Sequence, residues 1–127
     1  TVAVGSVSDK QREVYDTVLR AQLAALEVIR PGAVCREVDK VARDIIDATA
    51  YKGLFGHGLG HSVGLEIHED PRFNTQCDVV LEENVIMTVE PGIYIPGEFG
   101  VRIEDMVVTT ATGLRNFASS EKKLIVL

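Results

Sequence analysis

The chain has 127 residues, of which 46% are hydrophobic and 25% charged, and it carries a net charge of −6 at pH 7. This composition is typical of one folded domain, and the negative charge argues against a nucleic-acid or anionic-membrane partner. No apolar run reaches the roughly 20 residues that span a bilayer. The two cysteines, Cys35 and Cys77, are too few for a disulfide scaffold, so we expect reduced thiols and a cytoplasmic location.

A short strand at residues 1–4 is followed by a predicted helix that begins at Ser8. Ser8 and Gln11 have the spacing of a capping box, in which each side chain binds a free amide of the first turn. Apolar residues then recur with helical periodicity until Pro31-Gly32, which stops the helix.

A second helix is predicted over residues 35–49. Its apolar stripe includes Val38 and Ile46, whereas Asp39 and Arg43 are among the charged residues placed largely on the opposite face. Packing alone accounts for both helices in the sequence pattern, and neither needs a functional role.

The second part of the chain is predicted to form strands. Apolar runs predict strands over residues 85–89, 93–95, 101–110 and 123–127, with turns at residues 97–100 and at Gly113. Helices first and strands afterwards predict an α+β fold.

All three histidines, His57, His61 and His68, fall in one glycine-rich stretch. Imidazoles in such a cluster can bind a metal ion or transfer protons. The competing interpretation is that these histidines are structural.

Two glutamates, Glu90 and Glu104, lie in apolar strand segments. A carboxylate on the inward face of a strand needs a partner, which can be a metal ion or a cation such as Arg102. Alternatively, Glu104 faces solvent or pairs with Arg102. One histidine and two glutamates suit Mn²⁺, Co²⁺ or Zn²⁺, and ligand type does not choose among these metals.

Motifs of other hydrolases are incomplete. Residues 60–64 (GHSVG) have the G-x-S-x-G spacing of serine hydrolases, but no predicted helix follows them as it does in a nucleophile elbow. The sequence has no H-E-x-x-H zinc motif. The glycines at residues 56–64 are not followed by a lysine, which argues against a phosphate-binding loop.

Three segments in order, FGHGLGHSVGLEIHE (residues 55–69), TVEPGIYIP (88–96) and VRIED (101–105), resemble the active-site signatures of the pita-bread metallopeptidases. The resemblance covers essentially the whole chain and is closest to the branch of aminopeptidase P and Xaa-Pro dipeptidase (prolidase). Residues 8–31 resemble the helix that begins the second half of the catalytic domain in that family. The resemblance therefore implies that residues 1–127 are a C-terminal portion of the domain, half of a pita-bread fold with two helices followed by a curved antiparallel sheet.

The resemblance also assigns roles to the candidate residues. It implies metal ligands at His61, Glu90 and Glu104, catalytic residues at His57, His68 and Glu90, and at Arg102 an arginine that orients the ligand carboxylates. The implied substrate is a short peptide with proline at the second position, hydrolysed by water that two divalent metal ions activate.

The chain departs from the family pattern because two aspartate ligands come from the first half of the family's domain. We therefore expect at most weak or single-metal binding and little activity from this chain. The surface that meets the other half favours a homo-oligomer or pairing with an N-terminal half. A smaller departure is Val34, which replaces a helix-capping Thr or Ser. The alternative function is a non-catalytic binding module with the same fold.

Overall fold

The computed structural model describes residues 1–127 and has the predicted α+β architecture. The helices are α1 (Asp9–Val28) and α2 (Cys35–Asp47). The strands are β1 (Val2–Ala3), β2 (Gly60–Ser62), β3 (Glu69–Phe73), β4 (Ile86–Val89), β5 (Gly92–Ile95), β6 (Phe99–Arg102), β7 (Asp105–Thr110), β8 (Gly113–Asn116) and β9 (Ile125–Val126).

The strands form three sheets around one core. The main sheet is antiparallel with the order β3-β2-β4-β7-β8, while β5 and β6 form a hairpin and β1 pairs in parallel with β9. Both helices pack with the strands around a cluster of buried residues that includes Val18, Ile46 and Met87. Neither helix combines the length and the apolar character that crossing a membrane requires.

The start of α1 confirms the capping box. Ser8 Oγ accepts a hydrogen bond from the Gln11 amide at 3.2 Å, and Gln11 Oε1 accepts one from the Ser8 amide at 2.8 Å. These reciprocal bonds satisfy two amides of the first turn, which have no partner within the helix.

The second helix differs from its prediction at two points. It ends at Asp47 rather than residue 49, because the Thr49 hydroxyl donates to the Ile46 carbonyl at 2.6 Å and replaces a helical hydrogen bond. The sequence pattern places Asp39 largely opposite the apolar stripe, but its side chain is fully buried against Arg43. Val34, as predicted, makes no capping side-chain bond at the start of this helix.

The strand predicted over residues 101–110 is in fact two strands, β6 and β7. Pro91 has no amide to donate, so the ladder is interrupted between β4 and β5, and the opposite strand breaks at Ile103 and Glu104. The Ile103 amide donates to the Pro91 carbonyl across this gap at 3.4 Å. The break places Glu90 and Glu104 at the same point of the fold.

Candidate metal and catalytic centre

His61 of β2 and Glu90, which directly follows β4, meet across the sheet. His61 Nε2 lies 3.1 Å from Glu90 Oε1, and the two side chains are only 15% and 14% exposed. Thr88 connects them, because its Oγ1 accepts from the His61 amide at 3.0 Å and donates to Glu90 Oε1 at 3.0 Å. The imidazole and the carboxylate are therefore fixed relative to each other by one buried hydroxyl.

The chemistry of this pair fits a shared cation. His61 Nδ1 lies 3.0 Å from the Ser62 carbonyl, which requires the proton on Nδ1 and leaves a lone pair on Nε2 in the neutral ring. That lone pair faces a carboxylate oxygen, an arrangement that needs a proton or a metal ion between them. Two ligands with metal bonds of about 2.0–2.2 Å lie roughly 3.0–3.5 Å apart, which matches the observed separation.

Close contact between β2 and β4 depends on Gly60. A Cβ atom at this position would lie 1.9 Å from the Thr88 carbonyl oxygen, which no packing arrangement accepts. Glycine density in this stretch was the sequence signal for such an approach. Gly60 thus allows the strand that carries His61 to reach Glu90.

Glu104 is linked to the His61–Glu90 pair only by Arg102, which lies near both glutamates. Arg102 Nε lies 3.7 Å from Glu90 Oε2 and 3.8 Å from Glu104 Oε2. The pKa of Arg102 is raised, first by Tyr94 and then by Glu90 and Glu104, so the guanidinium stays charged. The side chain of Glu104 is 45% exposed. No group of three or more His, Cys, Asp or Glu side chains lies close enough together to hold a metal ion.

His57 and His68 line the same cavity as His61. His57 Nε2 lies 2.8 Å from the Tyr94 hydroxyl, and its Nδ1 lies 2.8 Å from the Gly58 carbonyl. The His68 ring is exposed and meets the His61 ring edge-on, with centroids 4.5 Å apart.

Most of the predicted site residues line one open cavity of about 340 Å³. The residues that line it and were singled out from the sequence are His57, His61, His68, Glu90 and Arg102. Glu104 lines a neighbouring cavity of about 660 Å³, which shares His61, His68, Glu90 and Arg102 with the first. The adjacent Asp105 already has partners within the fold. Its buried carboxylate accepts a hydrogen bond from Asn116 at 2.6 Å and another from Lys122.

Sequence reasoning gave no role to Thr88, Tyr94 or Arg72, although all three lie at this site. Thr88 had a readable signal, because it is a buried hydroxyl in an otherwise apolar strand. Tyr94 and Arg72 had no such signal, since surface strands often carry these residue types.

Comparison with known proteins finds relatives that match nearly the whole chain. Residues 1–111 match the profile of metallopeptidase family M24. The Xaa-Pro dipeptidase of Pyrococcus furiosus is 48% identical over 125 residues, a match that covers 98% of this chain and 36% of that protein.

Solved structures agree with this match. The structure of an Xaa-Pro dipeptidase from Bacillus anthracis has a TM-score of 0.96 and 48% identity, covering 99% of this chain and 36% of that one. The X-Pro aminopeptidase from Thermotoga maritima has a TM-score of 0.95 and 42% identity, with the same coverage. This chain therefore spans about a third of the length of these relatives, and its fold is half of a pita-bread fold, as predicted from the sequence.

Proposed function

The chain belongs to metallopeptidase family M24, and on this premise we propose that it is the C-terminal portion of a catalytic domain that hydrolyses Xaa-Pro peptides. The relatives named Xaa-Pro dipeptidase and X-Pro aminopeptidase support a short peptide with proline at the second position as substrate. The observation that carries the proposal is the His61–Glu90 pair, whose facing lone pairs suit a divalent metal ion.

In the proposed site His61, Glu90 and Glu104 are the metal ligands of this chain. When bound, divalent ions (Mn²⁺, Co²⁺ or Zn²⁺) supply an activated water and polarise the peptide carbonyl. Thr88 donates to Glu90 Oε1 and thereby fixes which carboxylate oxygen faces His61. Arg102 lies near both glutamates, and its positive charge offsets the repulsion between the two carboxylates at the break between β6 and β7.

The proton-transferring and substrate-facing groups are proposed to be Glu90, His57 and His68. Glu90 is a carboxylate at the cavity wall, where it can take a proton from the attacking water and return it to the leaving amine. His57 is oriented by the Tyr94 hydroxyl, so its ring presents a fixed face to the cavity. His68 is exposed beside His61, a suitable position for contact with a bound peptide.

This chain by itself is expected to bind at most one metal ion, weakly, and to hydrolyse no peptide. Glu104 and Glu90 are separated by Arg102, and additional carboxylates are needed to balance two divalent ions. Calorimetric titration with Mn²⁺, Co²⁺ and Zn²⁺, run beside hydrolysis of an Xaa-Pro dipeptide, tests this. Two tightly bound ions with turnover would show that the chain completes the site by itself or with a second copy.

We further propose that the open surfaces of this fold meet either an N-terminal half or a second copy of the chain. Leu65 and Ile67, beside the site, are 105% and 72% exposed, and β3 and β8 are unpaired edges of the main sheet. Sedimentation analysis over a range of concentrations tests the second copy, which requires a concentration-dependent rise in mass. A cytoplasmic location agrees with the two free thiols, Cys35 and Cys77.

The alternative is a non-catalytic binding module that uses the same fold. It predicts that metal ions bind no better to this chain than to a variant in which Glu90 is replaced by Gln. Retention of His57, His61, His68, Glu90 and Arg102 around one cavity favours the peptidase proposal, because binding alone does not need this combination.

A further inference from the structure

Asp39 and Arg43 form an ion pair inside α2, on the side of the helix that faces the core. Arg43 Nε donates to Asp39 Oδ2 at 2.8 Å, and Arg43 Nη2 donates to Asp39 Oδ1 at 3.0 Å. The Asp39 side chain is fully buried and that of Arg43 is 22% exposed. Hydrogen bonding to Asp39 raises the pKa of Arg43, so the guanidinium stays charged.

The other hydrogen bonds of this pair all go to the backbone of residues 54–59, the loop that precedes β2. Arg43 Nη1 donates to the Phe55 carbonyl at 2.9 Å and Nη2 to the His57 carbonyl at 2.8 Å. Asp39 Oδ1 accepts from the Leu59 amide at 2.9 Å. The loop is neither helix nor strand, so these backbone groups depend on partners from outside it.

The same loop reaches the candidate site at two points. It carries His57, whose ring packs edge-on against Phe55 with centroids 5.1 Å apart, and the Arg43 guanidinium lies 4.4 Å from the centre of the Phe55 ring. The Leu59 carbonyl accepts the Glu90 amide at 2.7 Å. The ion pair is therefore connected to His57 by one hydrogen bond, to the His57 carbonyl, and to Glu90 by two, through the amide and the carbonyl of Leu59.

A buried ion pair contributes little to stability compared with apolar residues of similar size, so its presence here calls for another explanation. We propose that Asp39 and Arg43 are positioning residues that set the placement of His57 and Glu90 at the cavity. The inference rests on the proposed function, in which those two side chains serve the reaction. It assigns α2 a role beyond packing.

The test replaces the pair by apolar residues of similar volume, Asp39→Leu with Arg43→Met. This variant leaves no unpaired buried charge. It also removes the partners of the Phe55 and His57 carbonyls and of the Leu59 amide, so a loss of stability is expected and folding is checked first. The matched control is Lys40→Met with Asp44→Leu, because that pair has the same spacing on the same helix and is exposed. Both double variants remove one positive and one negative charge.

Two measurements are made on the full chain. The first is the ¹H–¹⁵N spectrum of the histidine rings in the metal-free protein, in which the His57 signals should shift or broaden in the Asp39/Arg43 variant and remain unchanged in the control. The second is Co²⁺ affinity, which should fall about tenfold in the Asp39/Arg43 variant alone.

A folded Asp39→Leu/Arg43→Met protein with parental His57 signals and parental Co²⁺ affinity would overturn the inference. If the parent chain binds no Co²⁺, the metal-ligand set proposed for this chain alone fails, but the His57 spectrum still decides whether the pair positions the loop. Should the double variant not fold, Arg43→Lys decides: it keeps the charge, but an ammonium lacks the fork that reaches Asp39 and both carbonyls. Unchanged His57 signals in that variant would likewise overturn the inference.

Discussion

Nε2 of His61 lies 3.1 Å from Oε1 of Glu90, with the ring proton directed away to the Ser62 carbonyl. At this weakly exposed position between two strands, a proton or a metal ion is needed between the ring nitrogen and the carboxylate oxygen. This relationship is the strongest indication of metal chemistry in the chain, and the first two predictions test it.

Replacing Glu90 by Gln should lower Co²⁺ affinity by about 100-fold, because the amide keeps the shape but loses the charge that a divalent ion requires. Calorimetry and the visible spectrum of Co²⁺ measure the effect. Glu98→Gln is the control, since Glu98 is an exposed glutamate paired with Lys10 at 2.6 Å. Equal affinities for the two variants would mean that Glu90 is not a ligand.

Replacing Thr88 by Val should have two consequences. The His61 amide loses its acceptor, which costs about 1–3 kcal/mol of unfolding free energy, and Glu90 loses its donor, which should lower Co²⁺ affinity about tenfold.

Thr109→Val is the matched control for this change. Thr109 is also buried and accepts the Val85 amide at 2.9 Å, but it does not line either cavity. It should lose similar stability in urea unfolding with no change in metal affinity. A parallel loss of affinity in both variants would show that Thr88 acts only through stability.

Replacing Gly60 by Ala should destabilise the chain by about 3 kcal/mol or more, because the added methyl group collides with the Thr88 carbonyl and separates β2 from β4. Gly56→Ala, in the same segment, meets nothing within 4 Å and should change stability by less than about 0.5 kcal/mol. Urea unfolding of the two variants measures the difference. Similar midpoints would contradict the close approach of these strands.

Replacing Val34 by Thr should stabilise the chain by about 0.5–1 kcal/mol. Val34 already has the extended backbone of an N-cap residue, with φ −87° and ψ 130°, but it has no side-chain acceptor for the first turn of α2. Thermal unfolding checks the gain, with Val80→Thr as control because Val80 faces Val34 in an isolated bridge and caps no helix. An equal gain from both changes would exclude capping as the cause.

The pH dependence of stability should report the buried thiol of Cys35. Burial, with the nearby Cys77, raises the pKa of Cys35 from 9.0 to about 12. The folded chain therefore keeps a proton that the unfolded chain releases, so this contribution to stability is complete below pH 9 and is lost as the pH rises toward 12.

Urea unfolding between pH 8.5 and 10.5 should accordingly show a shallower fall in stability for Cys35→Ala than for the parent. Val38→Ala, which truncates another buried side chain of α2, should lower stability without changing the slope. Identical slopes for Cys35→Ala and the parent would exclude the thiol as a source of pH dependence.

The sequence by itself predicted most of the local elements and singled out the candidate site residues, five of which line one cavity. Helical periodicity and the Ser8–Gln11 box placed α1, because caps and amphipathic spacing act within a few residues. The ordered motifs around His57, Glu90 and Glu104 predicted the family, and the family profile and the related structures confirm it.

Only the tertiary structure decided how distant segments meet. The break opposite Pro91, which divides residues 101–110 into two strands, depends on the partner strand rather than on the alternating pattern, which continues through the break. The burial of Asp39 could not be predicted from the sequence either, because its partner Leu59 lies in another part of the chain. Periodicity reports which face of an element is apolar, whereas the choice of a polar partner is made by packing between elements.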